Sequence, residues 1–176
     1  MARTELNDTQ LNEPELSNTE LRLQLAIKAA IEVATAQGLQ FDRAIVLQDV
    51  SNAILRLEPT NVVARVATTT GTLRPGDRWF VREVAIARYL TAAGAPIVPV
   101  SDEIDPGPYS HLGLVMSFWH YVQVLAGPGD AYQAGERLRH CHTVLKGFDE
   151  KLPVLGLITE AQTVLNQWIT EAKFES

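Results

Sequence analysis

Residues 61–66, NVVARV, form an apolar run that is typical of a buried β-strand, but an arginine interrupts it. Side chains alternate across a strand, so Val63 and Arg65 face one side of the sheet while the remaining apolar residues face the other. A charge that is buried without a partner destabilises a fold by several kcal/mol or more. Any sheet that contains this strand must therefore offer Arg65 either water or a carboxylate.

A carboxylate that suits Arg65 lies in the next helical segment. Residues 77–94, DRWFVREVAIARYLTAAG, have apolar side chains at helical spacing and end at a glycine. The stripe consists of Phe80, Val84, Ala87 and Thr91. Glu83 falls within the apolar arc of this helix, so pairing with Arg65 explains both charges at the lowest cost. The alternative, in which each side chain reaches water along its own aliphatic stem, stays open.

The segments before this helix have a clear pattern. Ser17 and Glu20 form a capping box, and the apolar residues that follow repeat at helical spacing until Gly38. They are Leu21, Leu25, Ala29 and Val33. Three short β-like runs come next, at residues 44–50, 53–58 and 62–66, with turn-forming residues between them. They predict a three-stranded antiparallel meander.

Two more strands are predicted after the second helix. They cover residues 97–100, IVPV, and residues 112–119, LGLVMSFW, with a loop between them. From residue 130 onward the pattern is helical. Strands that are segregated from helices predict an α+β fold, here a five-stranded antiparallel sheet with one inserted helix.

Charge and hydropathy restrict the class of protein. The net charge is −6, which gives no reason to expect a nucleic-acid partner. Every long apolar run is broken by charges, so we expect no membrane span and a soluble, cytoplasmic protein. Between Arg43 and Arg88 there are seven arginines and no lysine. Arginine suits bidentate contacts with phosphate or carboxylate, so this segment could contact an anion. The alternative, that these arginines are single solvated residues on the surface, stays open.

Several runs are similar to those of one known family. They are NAILRL, NVVARV, REVAIARYLTAAGAPIVPV, DPGPY and GLVMSFW, followed by ERLRHCHTVL. Together they resemble the aminoglycoside phosphotransferase family of small-molecule kinases, over roughly residues 25–150. The resemblance implies a protein-kinase-like N-lobe with a leading helix and a linker over residues 17–122, and a partial helical C-lobe over residues 123–176. We expect residues 1–16 to form a mobile acidic tail.

The resemblance also implies the residues of a nucleotide site. Arg65 takes the position of the lysine that orients the α- and β-phosphates of ATP, and Glu83 that of the helix glutamate paired with it. Ser51 and Asn52 match the turn over the phosphates. The backbone of Ser117, Phe118 and Trp119 matches the linker that bonds adenine. A final strand with an aromatic cap would contain the same residues, and this alternative stays open.

The catalytic loop of this family, HxDxxxxN, does not occur in the sequence, because no asparagine has an aspartate five positions before it. We therefore expect a chain that binds ATP but is inactive alone, with Mg²⁺ only if a further segment or a partner supplies ligands. The implied family activity is phosphorylation of a small-molecule hydroxyl. The alternatives are a non-catalytic binding or regulatory module, and a piece of a split or truncated gene product. In each case the incompletely covered C-lobe predicts a homodimer or a second chain as partner.

Overall fold

The computed structural model describes residues 17–69, 76–124, 126–152 and 156–174. Four helices and five strands lie in these ranges. In chain order they are α1 (Asn18–Ala36), β1 (Arg43–Asp49), β2 (Asn52–Glu58), β3 (Val62–Ala67), α2 (Arg78–Ala92), β4 (Tyr109–His111), β5 (Leu114–His120), α3 (Ala131–Leu145) and α4 (Gly156–Phe174). The predicted tail at residues 1–16 lies outside the described residues.

The five strands form one antiparallel sheet in the order β1-β2-β3-β5-β4. The α+β class, the five-stranded antiparallel sheet and the meander of its first three strands are thus confirmed. β4 and β5 form a hairpin whose two turn residues, Leu112 and Gly113, have φ of 50° and 76°. Two consecutive residues with positive φ are typical of the type I′ turn, whose twist matches that of the flanking strands.

The predicted strand at residues 97–100 is wrong. Only Val100 pairs with the sheet, through a single bridge to Trp119, and the fourth strand is Tyr109–His111 instead. Pro99 has no N–H to donate to a ladder and contributes only its carbonyl, which accepts from the His120 amide at 3.0 Å. Ile97, Pro99 and Val100 are only partly buried and Val98 is 43% exposed, so the apolar composition of IVPV indicates neither strand pairing nor full burial.

α1 covers one face of the sheet and contacts all five strands. The capping box at Ser17 and Glu20 is confirmed, but the predicted apolar stripe is only partly buried, with Ala29 and Val33 at the core and the two leucines outside it. Leu21 and Leu25 are 49% and 40% exposed. The fully buried residues of α1 are Ala26, Ala29, Ala30 and Ala34. Small side chains let the helix axis approach the sheet closely, which leaves the longer leucines at the margin.

The core lies between α1 and the facing side of the three central strands. Its largest fully buried side chains are Leu55, Leu57, Val62, Val66, Met116 and Phe118. Tyr109 packs edge-on against Phe118 and donates from its hydroxyl to Gln37 Oε1 at 3.2 Å. Burial, with a smaller contribution from the Asp105 carboxylate, raises the pKa of the Tyr109 phenol above its ordinary value.

α2 packs against β5, and Arg65 reaches it from the face of the sheet that α1 does not cover. Its buried residues are Phe80, Val84, Ala87 and Leu90. Thr91, which we predicted on this stripe, is exposed because the helix turns it toward solvent. α3 has no buried residue and is connected to α2 through Tyr89, whose hydroxyl donates to the Val144 carbonyl at 3.3 Å. None of the described helices combines the length and apolar character that crossing a bilayer requires.

Candidate functional site

A cleft of about 450 Å³ lies on the side of the sheet opposite α1, and we call it the sheet cleft. Strands β2 and β3 form its floor with Ile54 and Val63, and Arg65 and Glu83 lie at one end. The wall also includes the end of β1 and the segment that follows β5. Most of these side chains are apolar, so the ion pair is a local concentration of charge in a largely apolar cavity.

Arg65 and Glu83 form the predicted ion pair, through Arg65 Nη1 and Glu83 Oε2. The pairing of β3 with its neighbours explains the direction of Arg65, because Ile54 and Ser117 lie opposite it on the same face of the sheet. The two side chains are 23% and 32% exposed, so both are partly shielded from water. The Phe80 ring lies 5.4 Å from Arg65 Cζ and adds a cation–π contact.

Ser117, Phe118 and Trp119, where the resemblance implies the linker, all lie inside β5. The Phe118 amide donates to the Pro106 carbonyl and its carbonyl accepts from the Ser101 amide, both at 3.0 Å. These backbone groups are therefore used by the protein and cannot serve as the free edge that a bound base requires. Phe118 is also fully buried in the core.

Trp119 does line the sheet cleft, with its side chain rather than its backbone. Its indole Nε1 donates to Ser117 Oγ at 2.8 Å, which fixes the ring orientation and satisfies a hydroxyl that is fully buried. The segment that follows β5 forms the adjoining wall with the half-buried Tyr121 and the exposed Val122 and Val124.

Ser51 lies in the β1–β2 connection and Asn52 begins β2, and the Ser51 carbonyl accepts from the Thr69 amide at 3.2 Å. The side chains that line the sheet cleft from this hairpin are Leu47 and Gln48. The ladder between β1 and β2 shifts register between Val46 and Gln48. Such a bulge redirects side chains, and no residue type in AIVLQDV signals it, so Leu47 could not be predicted as a wall residue.

Arg56 is a further residue that the sequence did not single out. Its Cζ lies 3.8 Å above the Tyr121 ring, and its Nη1 lies 3.2 Å from Glu58 Oε1. Stacking on a guanidinium holds the aromatic ring at one end of the sheet cleft. The sequence did contain a signal for this contact, namely a tyrosine two residues after a predicted strand and an arginine on another predicted strand.

Within the described ranges, no three or more His, Cys, Asp and Glu side chains come together in a way that could hold a metal ion. His140 and His142 lie on α3, two positions apart and hence on different sides of the helix. No family model, curated protein or solved structure matches the chain. The geometry of the sheet cleft therefore carries the functional assignment.

Proposed function

We propose that the sheet cleft binds ATP, and that the chain is a kinase-like protein of the aminoglycoside phosphotransferase type. The observation that carries this proposal is the contact between Arg65 on the third strand and Glu83 on the following helix. This pair lies at one end of an apolar cavity that is large enough for a small-molecule ligand. The division into an N-lobe at residues 17–122 and a partial C-lobe at residues 123–176 is part of the same proposal.

The residues of the cleft fit the two ends of a nucleotide. Tyr121 and Val122, on the segment that follows β5, offer apolar surface to a flat base. At the other end, a guanidinium carries five N–H donors, more than one carboxylate oxygen can accept, so Arg65 keeps donors for a phosphate while Glu83 orients it. A lysine would present a compact point charge to the phosphates. The planar guanidinium of Arg65 would instead contact them through two parallel N–H donors.

The proposal covers nucleotide binding and not phosphoryl transfer by this chain alone. The sequence has no HxDxxxxN loop to orient an acceptor hydroxyl. The described carboxylates of the cleft do not form a metal site, so we assign no step to Mg²⁺. Phosphorylation of a small-molecule hydroxyl, the activity of the family that the sequence resembles, would require these groups from elsewhere.

Thermal unfolding with and without ATP tests the proposal. A ligand that binds only the native state stabilises it by RT ln(1+[L]/Kd), about 2.7 kcal/mol at one hundred times Kd, which raises Tm by several degrees. We expect this shift for the wild type and for Arg65→Lys, which keeps a phosphate-binding charge. Arg65→Ala should lose it, and Ile54→Trp should lose it because the larger ring fills the floor of the cleft.

The matched control is Arg139→Ala. Arg139 also forms an ion pair, with Glu136 on α3, and neither of these two residues lines the sheet cleft. Each variant is compared with its own ligand-free Tm, so a loss of intrinsic stability does not count as a loss of binding. The absence of a shift at saturating ATP would contradict nucleotide binding. An unchanged shift in Arg65→Ala would contradict the phosphate role of Arg65.

A non-catalytic binding or regulatory module is the second candidate, and the C-terminal helices favour it. α3 has no buried residue, and Ile158, Leu165 and Trp168 on α4 are more than half exposed. Apolar side chains exposed at this density are typical of a surface that another protein or a second copy covers. This candidate predicts no ATP shift, together with a mass above that of the monomer in sedimentation velocity.

A further inference from the structure

A second pocket, of about 460 Å³, lies between α2 and β5, and we call it the α2–β5 pocket. Trp79, Ile86 and Leu90 line it from α2, and Ile97 from the segment after that helix. Its wall shares Glu83, Val98 and Trp119 with the sheet cleft, so the two cavities are neighbours. The shared Trp119 is held in place by its hydrogen bond to Ser117.

Among the described residues that line it, the α2–β5 pocket has one charge without a partner. Glu83 is neutralised by Arg65, which approaches from the sheet. Arg82 also lines the pocket and is half-buried, and among the described residues it has neither a hydrogen bond nor an ion pair. Partial burial removes part of the hydration of a guanidinium, so an anion at this position replaces lost water with charge-assisted hydrogen bonds.

We infer that the α2–β5 pocket binds a small amphipathic carboxylate, with its apolar body against Trp79, Ile86 and Leu90 and its carboxylate on Arg82. The apolar wall is where burial supplies affinity, and the single guanidinium supplies orientation. Arg82 presents a planar pair of donors that matches the two oxygens of a carboxylate. This site adjoins the proposed ATP site, and the inference does not depend on ATP binding.

The composition of the wall argues against other ligand classes. A nucleotide carries several negative charges, and the described wall of the pocket offers one unpaired cation, Arg82, and mostly apolar surface. A small cation would be repelled by Arg82, and the carboxylate in the described part of the wall, Glu83, is already paired with Arg65. A neutral apolar molecule would leave Arg82 partly dehydrated, so it should bind more weakly than the carboxylate of the same chain length.

Decanoate is the probe, and its binding to the full chain is measured by isothermal titration calorimetry. Tryptophan fluorescence gives a second measurement, since Trp79 and Trp119 line the pocket. We expect saturable binding of decanoate that weakens about tenfold in Arg82→Gln, because a charge-assisted hydrogen-bonded pair is lost. Decanol should bind the wild type about as weakly as decanoate binds this variant. Arg22→Gln is the matched control, since it removes an exposed arginine from α1 on the opposite face of the sheet.

Two further variants separate this pocket from the sheet cleft. Ile86→Trp should abolish decanoate binding by filling the pocket, whereas Ile54→Trp, which fills the sheet cleft, should leave decanoate affinity unchanged. Circular dichroism checks that each variant is folded. Unsaturable or absent decanoate binding, equal losses in Arg82→Gln and Arg22→Gln, or equal binding of decanol and decanoate would each overturn the inference. Failure of ATP to bind would leave it standing.

Discussion

Arg65 and Glu83 are charged groups beside apolar side chains, and each reduces the cost of burying the other. Because both remain partly exposed, water also screens them, and the net contribution of the pair to stability is small. The cost of breaking it is larger, since removal of one partner leaves a partly dehydrated charge. The pair is therefore better suited to hold α2 at a defined position beside β3 than to stabilise the fold as a whole.

A double-mutant cycle tests this account of the ion pair. Glu83→Leu should lower the free energy of unfolding by about 1–2 kcal/mol, because it leaves Arg65 half-buried without a partner. Combining it with Arg65→Met should restore most of that loss, since two apolar side chains then replace two charges. Urea denaturation measures both. Strictly additive losses would mean that the two residues are not coupled. Glu136→Leu, which breaks an exposed pair on α3, is the control and should cost less than about 0.5 kcal/mol.

The capping box at the start of α1 makes a second prediction at the scale of single residues. The Ser17 hydroxyl and the Ser17 amide both donate to Glu20 Oε2 at 2.7 Å, and these hydrogen bonds lower the pKa of the Glu20 carboxyl below its ordinary value. A carboxyl whose pKa is lower in the folded state stabilises the fold above its unfolded pKa. That contribution disappears as the pH falls through the folded pKa.

Glu20→Gln should therefore be less stable than the wild type at pH 7, and the difference should shrink under acid conditions, below the ordinary carboxyl range. The glutamine can still accept from the cap, so the helix start is kept while the titrating group is lost. Urea denaturation at pH 7 and at acid pH gives the comparison. A difference that stays constant across this range would show that Glu20 acts without its charge.

At the scale of elements, the packing of α1 depends on alanines rather than on its leucines. Ala29 and Ala30 are fully buried against the sheet, whereas Leu21 is half exposed. Helical periodicity alone gives leucine greater weight than alanine, so it shifts the apolar stripe toward Leu21 and Leu25 and includes only Ala29 of the fully buried alanines. The distance between helix and sheet decides which face is buried, and that distance is a tertiary property.

Ala30→Leu should thus destabilise the protein by roughly 1–3 kcal/mol, because three extra carbon atoms must fit into a closely packed interface. Leu21→Ala removes three carbon atoms from the same helix. It should cost only about 0.5 kcal/mol, since half of the Leu21 side chain is already in water. Chemical denaturation of both variants provides the test. The reverse order of effects would contradict the assignment of the alanine face.

The sheet illustrates which features local sequence can predict. The first three strands and β5 follow from β-branched runs between turn residues, and Arg65–Glu83 pairing follows from two charges in apolar surroundings. β4 has only three residues and no apolar run, so its pairing depends on the hairpin at Leu112 and Gly113. The walls of the sheet cleft depend on a bulge and on a chain segment after β5, neither of which has a residue pattern of its own.

At the scale of the whole molecule, burial is unevenly distributed. The central strands and α1 contain the fully buried side chains, while α3 has none and the described side chains of α4 are exposed or intermediate. Local stability follows the apolar surface that an element buries, so opening of the C-terminal helices should require much less free energy than opening of the sheet. Tyr89 of α2 packs against Phe148, with ring centroids 5.2 Å apart. Because Phe148 lies shortly after the last residue of α3, this contact stabilises the C-terminal end of that helix.

Hydrogen exchange followed by mass spectrometry should therefore show α3 amides exchanging orders of magnitude faster than those of β3, because an isolated helix of this length is only marginally stable in water. Dilution of the protein should leave the β3 rates unchanged, since that strand is covered within one chain. If α3 is instead as protected as β3 and loses this protection on dilution, a second copy covers the helix, and the protein functions as an assembly. If α3 is protected at every concentration, its helical stability comes from within the chain and the uneven distribution of burial does not govern its dynamics.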